Sequence, residues 1–210
     1  MKITVIGASA GVGLETVKRA LERGHHVTTL SRSPINLEPH KNLVSLKGNA
    51  TKKEDLKKTI ENAEAVIVAL GTGKNVKKTF LYTDFAKAIL EINKEKPIDI
   101  PIIILTGFGA GESGKYHTFL MKLFFRFILN KIYENKSEME EMISKSNLKW
   151  EFVRPGILND KPLSEKYRIE TKLFKGINIG SISRKDVADF MVKECENLQY
   201  IHQYPALSKQ

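Results

Sequence analysis

The stretch KITVIGASAGVGLETVKRALERGH, residues 2–25, decides the reading of this chain. A short apolar run, Ile3 to Ile6, enters a cluster of glycines at Gly7, Gly11 and Gly13. Leu14, Val17 and Leu21 then share one face of a helical pattern. A strand, a tight glycine turn and a helix N-terminus are the parts that hold a pyrophosphate. The first glycine permits the sharp turn, and the others let backbone amides and the helix come close to the ligand. A bare glycine triplet is weak, but one set between a strand and a helix is specific. This arrangement implies a dinucleotide-binding half.

The segment after the helix bears on which dinucleotide. His26 to Leu30 (HVTTL) reads as a second strand and ends in Ser31-Arg32-Ser33-Pro34. An acidic residue at this place suits the ribose 2′-hydroxyl of NAD, whereas an arginine suits the 2′-phosphate of NADP. The Arg32 guanidinium can fork onto phosphate oxygens, with Ser33 as a further donor. A surface arginine in a turn is the alternative. The expectation is NADP, with NADPH preferred over NADH.

Length and charge agree with one such domain. At 210 residues the chain can bury a sizeable core. The net charge of +10 is spread over lysine pairs such as Lys52-Lys53, Lys57-Lys58 and Lys77-Lys78. Dispersed basic surface helps steer an anionic cofactor. It lacks the aromatic-interleaved stripe of a single-strand binder, so no dedicated nucleic-acid binding is expected. Cys195 is the single cysteine, which fits a packed thiol in a reducing compartment. The opening residues read as strand one rather than as a leader, and a cytoplasmic location is the expectation. No metal-ligand spacing is convincing.

Strand and helix patterns alternate along the chain. Leu43 to Leu46 is a third strand, and Thr51 is a candidate cap for a helix over 52–61. Ala65 to Leu70 (AVIVAL) has the continuous apolarity of a strand buried on both faces. A helix over 76–94 leads to Pro101 to Leu105, and a helix over 119–146 leads to Trp150 to Val153. The order predicts an α/β fold, a Rossmann-type doubly wound parallel sheet. Residues 1–158 form the binding domain in this reading, and 159–210 a small C-terminal extension completing the substrate side. Within the long helix, Phe119 to Ile132 is apolar except for Lys122, Arg126 and Asn130. It is too short and too charged to span a bilayer, and is read as a homodimer face, with an amphipathic surface anchor as the alternative.

With these motifs in hand, the chain resembles the atypical short-chain dehydrogenase/reductases. It is most similar to the small NAD(P)H-binding group related to flavin and biliverdin IXβ reductases and to NmrA-like proteins. The resemblance rests on GASAGVG (7–13), LSRSP (30–34), VIVALGTG (66–73), ILTGFGAGES (104–113), WEFVRPGIL (150–158) and ISRKDVADF (182–190). It implies that Gly7, Ala8, Ser9, Gly11, Val12 and Gly13 wrap the pyrophosphate, and that Arg32 and Ser33 hold the 2′-phosphate. Asn49 and Ala50 would border the adenine. Leu70, Gly71 and Thr72 would line the path to the nicotinamide, and Pro155, Gly156 and Ile157 would meet its carboxamide.

The catalytic pattern departs from the family. Its main branch uses a serine on strand five and Tyr-x-x-x-Lys on the next helix, the lysine also binding the nicotinamide ribose. Aligned back from RPG, Lys136 takes the lysine position and Ile132 the tyrosine position. Tyr133 stands next door, about 100° around the helix from Ile132. Thr106 or Gly107 replaces the serine. The proton donor is then Tyr133 displaced, Tyr116 or His117, or solvent. Thr106 is a candidate donor to substrate, and Tyr167 a candidate wall.

Two functions follow from the resemblance. One is an NADPH-dependent oxidoreductase reducing a small carbonyl, quinone, flavin or similar conjugated acceptor. The other is a nonenzymatic NADP(H)-sensing regulator of NmrA-like type. A sugar-nucleotide epimerase fits less well, because the C-terminal part is small for such a substrate.

Overall fold

The computed structural model describes residues 1–73, 79–116 and 130–210. The apolar runs form strands: β1 (Lys2–Ile6), β2 (His26–Ser31), β3 (Leu43–Lys47), β4 (Ala65–Val68), β5 (Pro101–Leu105) and β6 (Lys149–Pro155). The intervening periodic segments give α1 (Gly11–Glu22), α2 (Lys53–Ile60), α3 (Leu81–Glu95) and α4 (Asn130–Ser144), with a 3-10 segment at Gly111–Tyr116. The C-terminal part adds β7 (Ile157–Asn159), β8 (Tyr167–Glu170), β9 (Ser181–Ser183), α5 (Arg184–Glu196) and β10 (Ala206–Lys209).

Eight strands make one sheet in the order β3-β2-β1-β4-β5-β6-β10-β8. Among the described residues only its β10–β8 pair is antiparallel. A separate ribbon pairs β7 with β9 in parallel. β1 is flanked by β2 and β4, so the chain changes direction there, and a crevice opens beyond the strand ends. The α/β fold with a Rossmann-type, mostly parallel sheet is therefore as expected.

Both faces of the sheet are covered, which accounts for the unbroken apolarity of β4 and β5. Phe85, Ile89, Met139 and Ile143 of α3 and α4 pack with Ile102, Trp150 and Phe152 on one face. Val17 and Ala20 of α1 pack with Val187 and Met191 of α5, and with Val5, Ile67 and Val153, on the other. Arg19 of α1 bonds Asp189 of α5, whose side chain is fully buried. Cys195 is buried within this layer, and burial pushes its thiol pKa up.

Several local expectations are corrected. Thr51 does not cap α2: Lys52 is the N-cap with no side-chain bond, and the Thr51 hydroxyl donates to Asn49 instead. β4 stops at Val68. α3 begins at Leu81 rather than at 76, where the expected start lies outside the described residues. Residues 119–129 of the expected dimer-face segment also lie outside them; the described part of that helix is Asn130–Ser144, and Ile132 is in the core. Among the described residues no helix is long and apolar enough to cross a membrane.

Candidate active site

A cavity of about 920 Å³ lies at the carboxyl ends of the parallel strands. That size is at the upper end of the roughly 300–1,000 Å³ of small-molecule sites. Its floor is the turn from β1 into α1. Gly7 has φ +88°, and a Cβ there would lie 2.6 Å from the Ala69 carbonyl oxygen. A Cβ on Gly13 would lie 2.1 Å from the Gly7 carbonyl oxygen, so the first turn of α1 rests directly on the loop. Ala10 precedes α1 without a side-chain cap, and no acidic residue occupies the first turn. Such an end offers amide hydrogens and a favourable dipole to an anion. The cradle that a Cβ would fill fits a dinucleotide pyrophosphate.

Nearly all the residues singled out in the sequence meet at this cavity. Gly7, Ser9, Gly11, Val12, Arg32, Ser33, Asn49, Ala50, Leu70, Gly71 and Thr72 line it, as do Thr106, Tyr133, Lys136, Pro155, Gly156 and Ile157. Ala8 and Gly13 do not: Ala8 is fully buried in the core beneath, and Gly13 supports the turn from behind. Arg32 and Ser33 are exposed, and the Ser31 hydroxyl ties their loop by donating to the Ser33 carbonyl at 2.6 Å. Arg32 has no carboxylate partner among the described residues. Asn49 is fixed by its amide, which donates to Asp55 at 2.7 Å.

The other end of the cavity is built by β5, α4 and β6. Lys136 Nζ donates to the Thr106 carbonyl oxygen at 2.5 Å and stands over the rings of Tyr82 and Tyr133, 5.3 and 5.0 Å from their centroids. Burial lowers the Lys136 pKa to about 8, against the opposing pull of the Glu140 charge. Tyr133 lines the cavity while its neighbour Ile132 packs in the core. A Cβ on Gly107 would sit 2.7 Å from the Tyr133 hydroxyl oxygen, so the glycine gives that hydroxyl its room. Burial raises the Tyr133 phenol to about 12, which keeps its proton in place at neutral pH.

Three expected roles look different in three dimensions. The Thr106 hydroxyl donates to Glu140 Oε1 at 2.7 Å, so its proton is turned away from any substrate. The amides of Gly156 and Ile157 donate to the carbonyls of Leu207 and Gly180. What that turn offers a carboxamide is therefore carbonyl oxygen rather than amide hydrogen. Tyr167 is not in the cavity wall: its hydroxyl donates to Asp189 at 2.9 Å and its ring packs on Phe190. Tyr116 packs beside Phe108 and Ile177, and His117 lies outside the described residues.

Sequence reasoning missed Tyr82, Phe108, Ile179 and Arg184, all in the cavity lining. Arg184 stands inside the quoted ISRKDVADF segment, where an arginine at a strand-to-helix junction was a readable signal.

The solved structures with similar folds include a candidate NADH-flavin reductase from Streptococcus pneumoniae TIGR4. It is 24% identical, with 100% of both chains covered and a TM-score of 0.78. ChuY, an anaerobillin reductase from Escherichia coli O157:H7, is 18% identical over 100% of this chain and 97% of its own, with a TM-score of 0.78. A short-chain dehydrogenase/reductase from Veillonella parvula DSM 2008, solved in complex with NADP, is 18% identical over 99% and 94% of the two chains, again with a TM-score of 0.78. These likenesses are of fold. The family model described as NAD(P)H-binding matches residues 7–197, from the first glycine of the cradle to the residue after α5. The resemblance drawn from the motifs is thus borne out, and the chain belongs to the NAD(P)H-binding family.

Proposed function

We propose that the protein is an NADPH-dependent reductase of a small conjugated acceptor such as a carbonyl, quinone or flavin. The observation that carries this reading is one cavity with a glycine cradle in its floor, a carboxylate-free arginine at Arg32 and a desolvated lysine at Lys136. NADPH supplies the hydride when bound. Arg32 and Ser33 hold its 2′-phosphate through charge-assisted hydrogen bonds. Lys136, anchored on the Thr106 carbonyl, directs its remaining N–H groups to the nicotinamide ribose. Tyr133, whose burial keeps it protonated, gives a proton to the acceptor oxygen as the acceptor gains the hydride. Hydride and proton together bring the acceptor two electrons and two protons, and the nicotinamide leaves oxidised. The activities named for the solved relatives, flavin and anaerobillin reduction, involve acceptors of this conjugated kind.

The sensor reading leans on Ile132 standing where the family has a tyrosine. An inward-facing Tyr133 beside Lys136 favours chemistry instead. The test is calorimetric titration of NADPH and NADH into wild type and Arg32→Ala, followed by absorbance assays of NADPH oxidation with quinones, flavins and aldehydes. Losing charged hydrogen bonds in Arg32→Ala is expected to weaken NADPH by about tenfold or more and leave NADH nearly unchanged. Equal loss for both cofactors would overturn the 2′-phosphate assignment. Binding without turnover of any acceptor would favour the sensor.

A further inference from the structure

Arg184 enters the cavity from a rigid base. Its neighbour Ser183 caps α5, accepting from the Asp186 amide at 2.9 Å and donating to the Asp186 carboxylate at 2.8 Å. β9, which ends at Ser183, is paired along β7. The Arg184 side chain is held more lightly. Nη1 lies 2.7 Å from Asp160 Oδ1, and that aspartate side chain is 87% exposed. Nε lies 4.0 Å from where a Cβ of Gly11 would stand, so the guanidinium is against the glycine cradle and not at the Arg32 loop.

We propose that Arg184 is a second phosphate-binding arginine, specific for the pyrophosphate, and that Asp160 competes with the pyrophosphate for it. This rests on the dinucleotide reading of the cavity. An ion pair with a solvated carboxylate contributes little, because water screens it and two side chains must be ordered. A pyrophosphate over Gly11 carries more charge and offers several oxygens to a planar fork. The exchange leaves the backbone in place and swings only the side chain. It gives up the contact with Asp160, the residue that follows β7. Cofactor binding thereby frees the start of the connection from β7 to β8.

Calorimetric titration of the full chain with three ligands tests this. NADPH and 2′-phospho-ADP-ribose carry the pyrophosphate, whereas 2′-AMP carries only the adenosine 2′-phosphate end. Arg184→Ala is expected to weaken the first two by about tenfold or more and to leave 2′-AMP within about twofold of wild type. Arg184→Lys should recover part of the loss, since charge remains but the fork does not. Asp160→Asn is expected to tighten NADPH by about twofold to fivefold in low salt, and less in high salt. Unchanged NADPH affinity in Arg184→Ala, or equal loss of 2′-AMP, overturns the assignment. An unaltered or weaker affinity in Asp160→Asn overturns the competition. If wild-type protein binds none of the three, the dinucleotide reading falls and this inference with it. If it binds all three and only the Arg184 variants fail to discriminate, that reading stands alone.

Discussion

The two faces of β6 bury charge in opposite ways. On the face covered by α4, Arg154 is 1% exposed and fully engaged. Its Nη2 and Nε donate to Glu140 at 2.7 and 3.2 Å, its Nη1 to Glu112 at 2.9 Å, and its guanidinium carbon lies 4.1 Å from the Tyr204 ring centroid. On the face covered by α5, Glu151 is fully buried and neither carboxylate oxygen has a hydrogen-bond donor among the described residues. The charge acting on it is that of Glu194, which already accepts the amides of Gln199 and Tyr200. Burial first, and the like charge of Glu194 second, push the Glu151 pKa upward. A proton held between the two carboxyls relieves both penalties. The lesson is that the buried arginine keeps its charge across ordinary pH, while the buried glutamate takes the state that pH dictates.

The largest effect should come from breaking the arginine face. Glu140→Ala leaves a buried guanidinium short of its main partner and removes the acceptor of the Thr106 hydroxyl. A loss of about 3–5 kcal/mol in urea unfolding is expected; a loss below about 1 kcal/mol would mean that water reaches the pair. The glutamate face should respond with the opposite sign. Between the ordinary glutamate pKa and the raised folded value, the native state binds more protons than the unfolded state. Stability therefore falls as pH rises across that window. Glu151→Gln removes this dependence and should stabilise the protein at pH 8 by on the order of 1–3 kcal/mol. Parallel stability–pH curves for variant and wild type would show that Glu151 is ionised in the native state as well.

The smallest effect belongs to Lys136, on the arginine face and one turn before Glu140. Its folded pKa of about 8 lies below the ordinary lysine value of 10.5, so between these the unfolded state binds more protons and stability rises with pH. Between pH 8 and 9, Lys136→Met should flatten that alkaline rise by about 1 kcal/mol. A steeper rise in the variant would contradict the desolvated lysine.

How much of this was legible in the residues depends on what held each element. β1 and β5 were readable to within a residue because apolar runs buried on two faces have no other use, and β2 and the half-exposed edge strand β3 because their β-branched and apolar residues follow in the same alternation with helices. The glycine cradle was readable because steric contact, 2.1 Å at Gly13, admits no side chain. Strands such as YRIE at 167–170 and SIS at 181–183 were not, being short and without a period of their own. Their partners are set by tertiary pairing alone. Lys136 could be found by counting back from RPG. That Tyr133, rather than Ile132, faces the cavity depends on how α4 is rotated against β5 and α3, which spacing does not encode. The Glu140–Arg154 pair was invisible because its members are on a helix and a strand whose facing register appears only in the fold. The paired placement of Thr51 and Asn49 shows a local rule overridden: a threonine hydroxyl found a side-chain partner before it reached a helix amide.

The position of β10 has a consequence for how the chain is made. Each strand from β2 to β6 can dock on a neighbour that has already emerged from the ribosome. β8 cannot, because it pairs only with β10, which is synthesised later and slots between β6 and β8. The outer edge of β6 at Arg154 and Pro155, beside the cavity, therefore stays uncovered until residues 206–209 arrive. That edge of the cavity is thus completed only once β10 has been made, long after the glycine turn between β1 and α1 has emerged.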